Sequence, residues 1–214
     1  MSAVVYIDGF NHCYGLRSLG WPRCSWLDAG RFGAEPASVG PVRAATKCFT
    51  ARIRGVWPGA AACLAPRYLA RQRRQATYLE ARAASGTCSM FLGHYLHNRV
   101  TCRNCGATCD VPGEKVTDVT IATECLTDAF AGSFSRAIVR SADGDLTPPI
   151  RAVRRLSPGR EAFVAFPPGT NSRQLGAAAH RVRHVNVAML RRSQLPGVVR
   201  KADGFELHRP PPWS

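Results

Sequence analysis

Residues 3–11, Ala3-Val4-Val5-Tyr6-Ile7-Asp8-Gly9-Phe10-Asn11, and residues 137–145, Ala137-Ile138-Val139-Arg140-Ser141-Ala142-Asp143-Gly144-Asp145, follow one pattern. A short apolar, β-rich run ends on an acid beside a glycine. Runs of this kind without alternation read as strands buried on both faces, the habit of parallel sheets. The glycines turn the chain, so Asp8, Asp143 and Asp145 are expected at strand ends, with Asn11 close behind the first. In open parallel sheets that edge is where ligands bind.

Working outward, further strand-like runs occur at 48–53, 90–96 and 162–166, and stretches of helical character at 66–84, 113–130, 148–156 and 172–182. Strands alternating with helices predict an α/β fold on a parallel sheet. Segments 19–41 and 98–113 are expected as loops or insertions, and 196–214, with its Pro-rich end, as a loosely attached tail. At 214 residues and 45% hydrophobic composition the chain is most simply one domain.

The 29 Lys and Arg against 14 Asp and Glu, a formal charge of +15, point to an anionic partner. The excess is mostly arginine, which a G+C-rich genome also produces, so charge alone decides little. The start of the chain has no basic segment or cleavage site and no run reaches membrane-spanning length, so the expected compartment is the cytoplasm, with no membrane contact. Nine scattered cysteines argue against a disulfide framework.

Against that basic background the placing of the acids stands out. Asp110, Glu114, Asp118, Glu124, Asp128, Asp143 and Asp145 fall in one short stretch. If a helix covers 113–130, Asp118 shares an angular sector with Ala122, Cys125 and Ala129, the small residues that face the sheet, and Glu114 lies one turn earlier. Carboxylates on a buried face need a partner or a metal. Glu124 and Asp128 project elsewhere and read as solvated. Taken singly, Asp8 and Asp143 also fit turns, Asp145 an N-cap, and Glu114 the helix dipole. Taken together the acids point to a divalent-metal pocket under a phosphate-binding surface.

The motifs resemble those of NYN domain proteins, a branch of the PIN-like nuclease superfamily, over nearly the whole chain. Tyr6-Ile7-Asp8-Gly9-Phe10-Asn11 is similar to the family's first-strand motif, and Phe49-Thr50-Ala51-Arg52 to its second strand. Arg74-Gln75-Ala76-Thr77-Tyr78-Leu79 resembles the helix between. Glu114-Lys115-Val116-Thr117-Asp118-Val119 and Ser141-Ala142-Asp143-Gly144-Asp145-Leu146 resemble its two acidic motifs. The chain departs from the common pattern at Gly113, Thr120 and Ala142.

The resemblance implies a PIN-like three-layer α/β/α domain over 1–195 with a cysteine-containing insertion at about 97–112. It implies a metal-dependent ribonuclease in which Asp8, Asp118, Asp143 and Asp145 bind Mg²⁺ or Mn²⁺, with Asn11 and Glu114 assisting. RNA is the implied partner; Arg151, Arg154 and Arg155 after the last acids could hold its backbone or simply form a solvated helix face, and a homodimer would extend the basic surface. The rival of another class is an RNA-binding or regulatory protein that keeps the fold and cleaves little or nothing.

Cys102-Arg103-Asn104-Cys105 has the spacing of half a zinc site, and Cys109 with His97 or His94 would complete a structural Zn²⁺ knuckle; free thiols or a redox pair are the alternatives. Asp143-Gly144-Asp145-Leu146-Thr147 also fits the DxDxT pattern of aspartyl phosphatases, but it lies late in the chain with few acids after it. No G-x-S-x-G elbow or P-loop is present.

Overall fold

The computed structural model describes residues 2–35, 43–53, 65–101, 106 and 108–213. Strands β1 (Ser2–Asp8), β2 (Arg43–Ala51), β3 (Ser89–Thr101), β4 (Thr108–Lys115), β5 (Arg136–Arg140), β6 (Glu161–Phe166) and β7 (Arg181–His184) form one sheet in the order β4-β3-β2-β1-β5-β6-β7. Six strands are parallel, and only β4 runs antiparallel, beside β3. The order reverses at β1: β2 and β3 build out one way, and β5 to β7 the other. Ligands of open α/β sheets bind outside the carboxyl ends of the strands at such a switch point. Here those ends are Asp8 and the segment after Arg140, set together by the Ile7–Arg140 register.

Every residue of β1 after Ser2 is buried, because both faces of the sheet are covered. Val4 and Tyr6 pack with Ile121, Cys125, Ile150, Val153 and Leu175 from helices α4 (Thr117–Ala131), α5 (Thr147–Leu156) and α6 (Arg173–Ala178). Val5 and Ile7 point the other way, to Leu16, Phe32 and Leu190 from α1 (Gly9–Ser18), α2 (Ala29–Ala34) and α7 (Val187–Arg192). The long α3 (Ala65–Ser85) lies on this second side, where Tyr78 packs against the same cluster. The three-layer α/β/α architecture expected from the motifs is therefore present. No helix among the described residues is long and apolar enough to cross a membrane.

Four local expectations need correction. The described part of 98–113 is mostly strand: β3 continues to Thr101 and pairs with β4 from His94–Lys115 to Thr101–Thr108. The helix expected from 113 therefore starts only at Thr117, after Val116 breaks the chain in a left-handed conformation at φ 80°. This close turn depends on Gly93, where a Cβ would stand 2.9 Å from both the Lys115 carbonyl oxygen and the Thr117 Oγ1. The helix expected over 172–182 is only α6, and 181–184 forms the edge strand β7. Within 19–41, Asp28 caps α2 by accepting from the Arg31 amide at 3.0 Å.

The fourth correction concerns the C-terminal stretch. Strands β8 (Val198–Arg200) and β9 (Glu206–His208) form a hairpin whose Val199 and Leu207 are buried with Trp26, Ala81 and Leu195. The Trp26 indole donates to the Pro196 carbonyl at 2.7 Å, and its ring lies 5.8 Å from Tyr78 and 6.4 Å from Trp213. A segment held by a second small core is not loose. Leu207→Ala is expected to lower unfolding stability by roughly 2–5 kcal/mol, the range for a buried leucine, read from the denaturant midpoint. No shift would mean that the hairpin contributes nothing to the global fold.

Candidate functional site

Asp8 ends β1 and starts α1. Its carboxylate is 3% exposed and caps the helix, Oδ1 accepting from the Asn11 amide at 2.9 Å. Its Oδ2 accepts from the Ser141 hydroxyl at 2.7 Å, across the β1–β5 switch point. The Asn11 side chain completes the tie, its Oδ1 accepting from the Ala142 amide at 3.1 Å. Asn11 thus fastens the start of α1 to the loop after β5. Gly9 is required beside it, since a Cβ there would meet the Phe49 carbonyl oxygen at 2.8 Å.

Asp143 caps the short 3-10 turn Gly144–Leu146, its Oδ1 accepting from the Asp145 amide at 2.9 Å. Its own amide donates to the Ser141 Oγ at 3.0 Å. Ser141 therefore joins both acidic segments, and it is completely buried. Nothing in the sequence marks it out: a serine after an apolar run looks like one more turn residue.

Asp118 sits in the first turn of α4. Burial pushes its carboxyl up to about 6, and the charges of Asp8, Asp143 and Asp145 push in the same direction. Burial likewise raises Asp8, against the hydrogen bonds from Asn11, Ser141 and Phe10, with Asp143 adding repulsion. Four acids from two strand ends and one helix start thus feel one another. Among the described residues none of the four is ion-paired to a Lys or Arg.

No three of the described His, Cys, Asp and Glu side chains converge closely enough to grip one ion by themselves. That arrangement still fits Mg²⁺ or Mn²⁺, because Mg²⁺ keeps several waters and takes one or two carboxylates in place of a full protein cage. The donors are all hard oxygens, and their mutual repulsion is what a divalent cation relieves.

Other expected site residues fall elsewhere. Glu114 is not on the helix with Asp118: it lies in β4 opposite Tyr95, because the β3–β4 hairpin runs through it. Arg154 is tied down, its guanidinium donating to the Ala178 carbonyl at 2.8 Å and joining α5 to α6, while Arg151 and Arg155 are exposed. Of the expected zinc knuckle, Cys102 and Cys105 lie outside the described residues, and His97 and Cys109 are described only as paired backbone of β3 and β4. No zinc-binding group is found among the described residues, and His94 is exposed.

Asp128 and Glu124 are not merely solvated either. Lys47 meets both at 2.7 Å, and the Tyr6 hydroxyl donates to Asp128 at 2.6 Å, a network that locks α4 onto β1 and β2. With α4 held there, Asp118 is held at the edge of the sheet beside Asp8.

Comparison with curated protein sequences gives no match. Among solved structures, a protein of unknown function from Vibrio parahaemolyticus superposes with a TM-score of 0.53 at 17% identity, over 87% of this chain and 93% of that one. That likeness establishes a shared fold. The NYN domain model matches residues 3–186, which takes in β1, the acid-bearing loop after β5 and the helix of Asp118. The protein belongs to the NYN domain family, with its PIN-like α/β fold.

Proposed function

We propose that the protein is a metal-dependent ribonuclease that hydrolyses RNA phosphodiester bonds at Asp8, Asp118, Asp143 and Asp145. The observation that carries this reading is the set of four mutually repelling carboxylates at the switch point, in a chain of net charge +15. An acidic centre in a basic molecule suits a cation bound beneath a polyanion.

Bound there, Mg²⁺ or Mn²⁺ would polarise the phosphodiester and lower the pKa of a coordinated water. The chain's own residues set the geometry. Ser141 and the Asn11 amide hold the Asp8 carboxylate in one orientation, leaving its remaining lone pairs for the ligand. Asp143 has one oxygen engaged with the Asp145 amide and the other free of described partners. Burial and the neighbouring acids push the Asp118 carboxyl up to about 6, so acid is expected to compete with metal at this position.

The test is incubation of purified protein with end-labelled RNA and added Mn²⁺ or Mg²⁺, beside Asp143→Asn. This variant keeps the cap to the 3-10 turn and removes one charge. Cleavage by the wild type, lost in the variant, is the expected result. RNA shifted in a gel but cut by neither would replace this reading with that of an RNA-binding or regulatory protein.

A further inference from the structure

Gln75 shows how α3 stands against the sheet. Its side chain copies a neighbouring strand, accepting from the Ile53 amide at 2.6 Å and donating to the Ala51 carbonyl at 2.9 Å. Ala51 is the last residue of β2, two beyond the Asp8–Phe49 pair, so Gln75 is level with the edge that carries the acids. The helix then runs back along the sheet to Ser85, and β3 begins with Ser89 beside Lys47, two residues short of the level of Asp8. The ten residues before Gln75 lie past the ends of β1 and β2, at the height where β3 runs on beyond Gly93 to Thr101 beside β4. At 1.5 Å per residue they overhang the acidic edge by about 15 Å.

That overhang reads Ala65-Pro66-Arg67-Tyr68-Leu69-Ala70-Arg71-Gln72-Arg73-Arg74 and contains no acid. Arg67, Arg71 and Arg74 follow each other by four and three residues, which puts them on one side of the helix. Among the described residues no carboxylate pairs with them. The first acid of the helix, Glu80, comes after Gln75, where it meets Lys201 at 3.4 Å. Arg71 also places its charge, with that of Arg17, beside Cys13 of α1, the helix that Asp8 caps. Positive charge left unpaired on this scale calls for an anionic partner, and guanidinium forks suit phosphate oxygens.

We infer that the overhanging half of α3 is a binding rail for the RNA backbone, with Arg67 and Arg71 gripping successive phosphates of a strand whose next segment crosses the acids at Asp8. One helical turn separates the two guanidinium groups, a step close to that between phosphates along an extended single strand. The rail rises from the α1 side of the edge, and the acids run from Asp8, which caps α1, to Asp118 on α4, so a strand lying across the edge meets both. The assignment deepens the ribonuclease reading and rests on it for the identity of the polyanion. It also moves the backbone contacts away from α5, where Arg154 is committed to Ala178.

The experiment is fluorescence anisotropy with a labelled single-stranded RNA, in buffer without added divalent ions, over a series of KCl concentrations. Arg67→Gln/Arg71→Gln is compared with wild type and with Arg151→Gln/Arg155→Gln, which removes the same charge from α5. The rail variant is expected to bind at least tenfold more weakly at low salt. Its log–log salt slope should fall by about 1.4, at roughly 0.7 per lost single-strand phosphate contact. The α5 variant should follow wild type. Unchanged binding in the rail variant, an equal loss in both variants, or no RNA binding by wild type would overturn the inference. So would binding of vesicles rich in anionic lipid that depends on Arg67 and Arg71 while RNA binding does not. Because binding is read without cleavage, the nuclease reading and the rail can fail separately. Melting curves of both variants control for folding: Arg67, Arg151 and Arg155 are exposed and Arg71 is half-buried, so any shift is expected to be small.

Discussion

Asp8→Asn is expected to reduce RNA cleavage on the order of a thousandfold, about 4 kcal/mol of transition-state stabilisation, while leaving the metal-free protein at least as stable as wild type. The two effects have opposite signs because the carboxylate is held at the site against its own desolvation. Burial raises the Asp8 carboxyl, and Asp143 adds like charge. A carboxyl raised in the folded state contributes stability at pH below its unfolded value, and that contribution is lost as pH rises through the folded value. At neutral pH the ionised Asp8 therefore works against folding. The asparagine retains an acceptor for the Asn11 amide and offers Ser141 an N–H group in place of an oxygen, so the helix cap survives. Each kcal/mol gained should raise Tm by about 2–4 °C in a chain of this size. The same variant should lose the rise in Tm that Mn²⁺ gives the wild type. Full cleavage by Asp8→Asn, or an undiminished Mn²⁺ effect on its melting, would remove Asp8 from the site.

Asp8, Asp143 and Asp145 could be read from sequence because their positions depend on local rules alone: an apolar run fixes a buried strand, and the acid that ends it marks the edge. Asp118 is legible as a helix residue, although that helix begins later than the periodicity implies. Glu114 defeats the helical reading for a definite reason. Strand β4 contains Pro112 and Gly113, residues that weaken any strand reading, and it tolerates them because it is the outermost strand of the sheet. Ser141 was invisible for another reason. Its importance comes from a hydrogen bond to a residue 133 positions away, and no window of sequence contains both partners. The same holds for the C-terminal hairpin, whose anchor joins Trp26 to Pro196. The overhang of α3 is intermediate: its arginines are plain in the sequence, but their place above the acids needs the level set by Gln75.

Between pH 7 and 4.5 the wild-type protein is expected to lose stability through His12, and His12→Leu to abolish that loss. His12 lies on α1 behind the acids, 6% exposed, its ring 5.1 Å from Phe32 and neither nitrogen hydrogen-bonded among the described residues. Burial holds the imidazole down at about 3 against an ordinary 6.5, and the positive charges of Arg140 and Arg82 act in the same sense. Arg140 is itself fully buried, its guanidinium 3.9 Å from the centre of the Phe32 ring. The unfolded chain takes up a proton at His12 below pH 6.5 and the folded chain does not until about 3, so stability is complete above the first value and falls through the interval. The full interval is worth on the order of 5 kcal/mol, comparable with the whole stability of many domains, and the part down to pH 4.5 nearly 3 kcal/mol. Asp118 and Asp8 oppose this slope, because raised carboxyls gain stability as pH falls, and Asp118 is partly solvated, which weakens its share. Comparing His12→Leu with wild type by urea denaturation at both pH values cancels the acids, which are present in both proteins. The variant should be at least as stable at pH 7, since it removes two unpaired ring nitrogens from an apolar site. An identical pH dependence in the two proteins would show that the folded state protonates His12 as readily as the unfolded chain, and that water reaches the ring between α1 and Phe32.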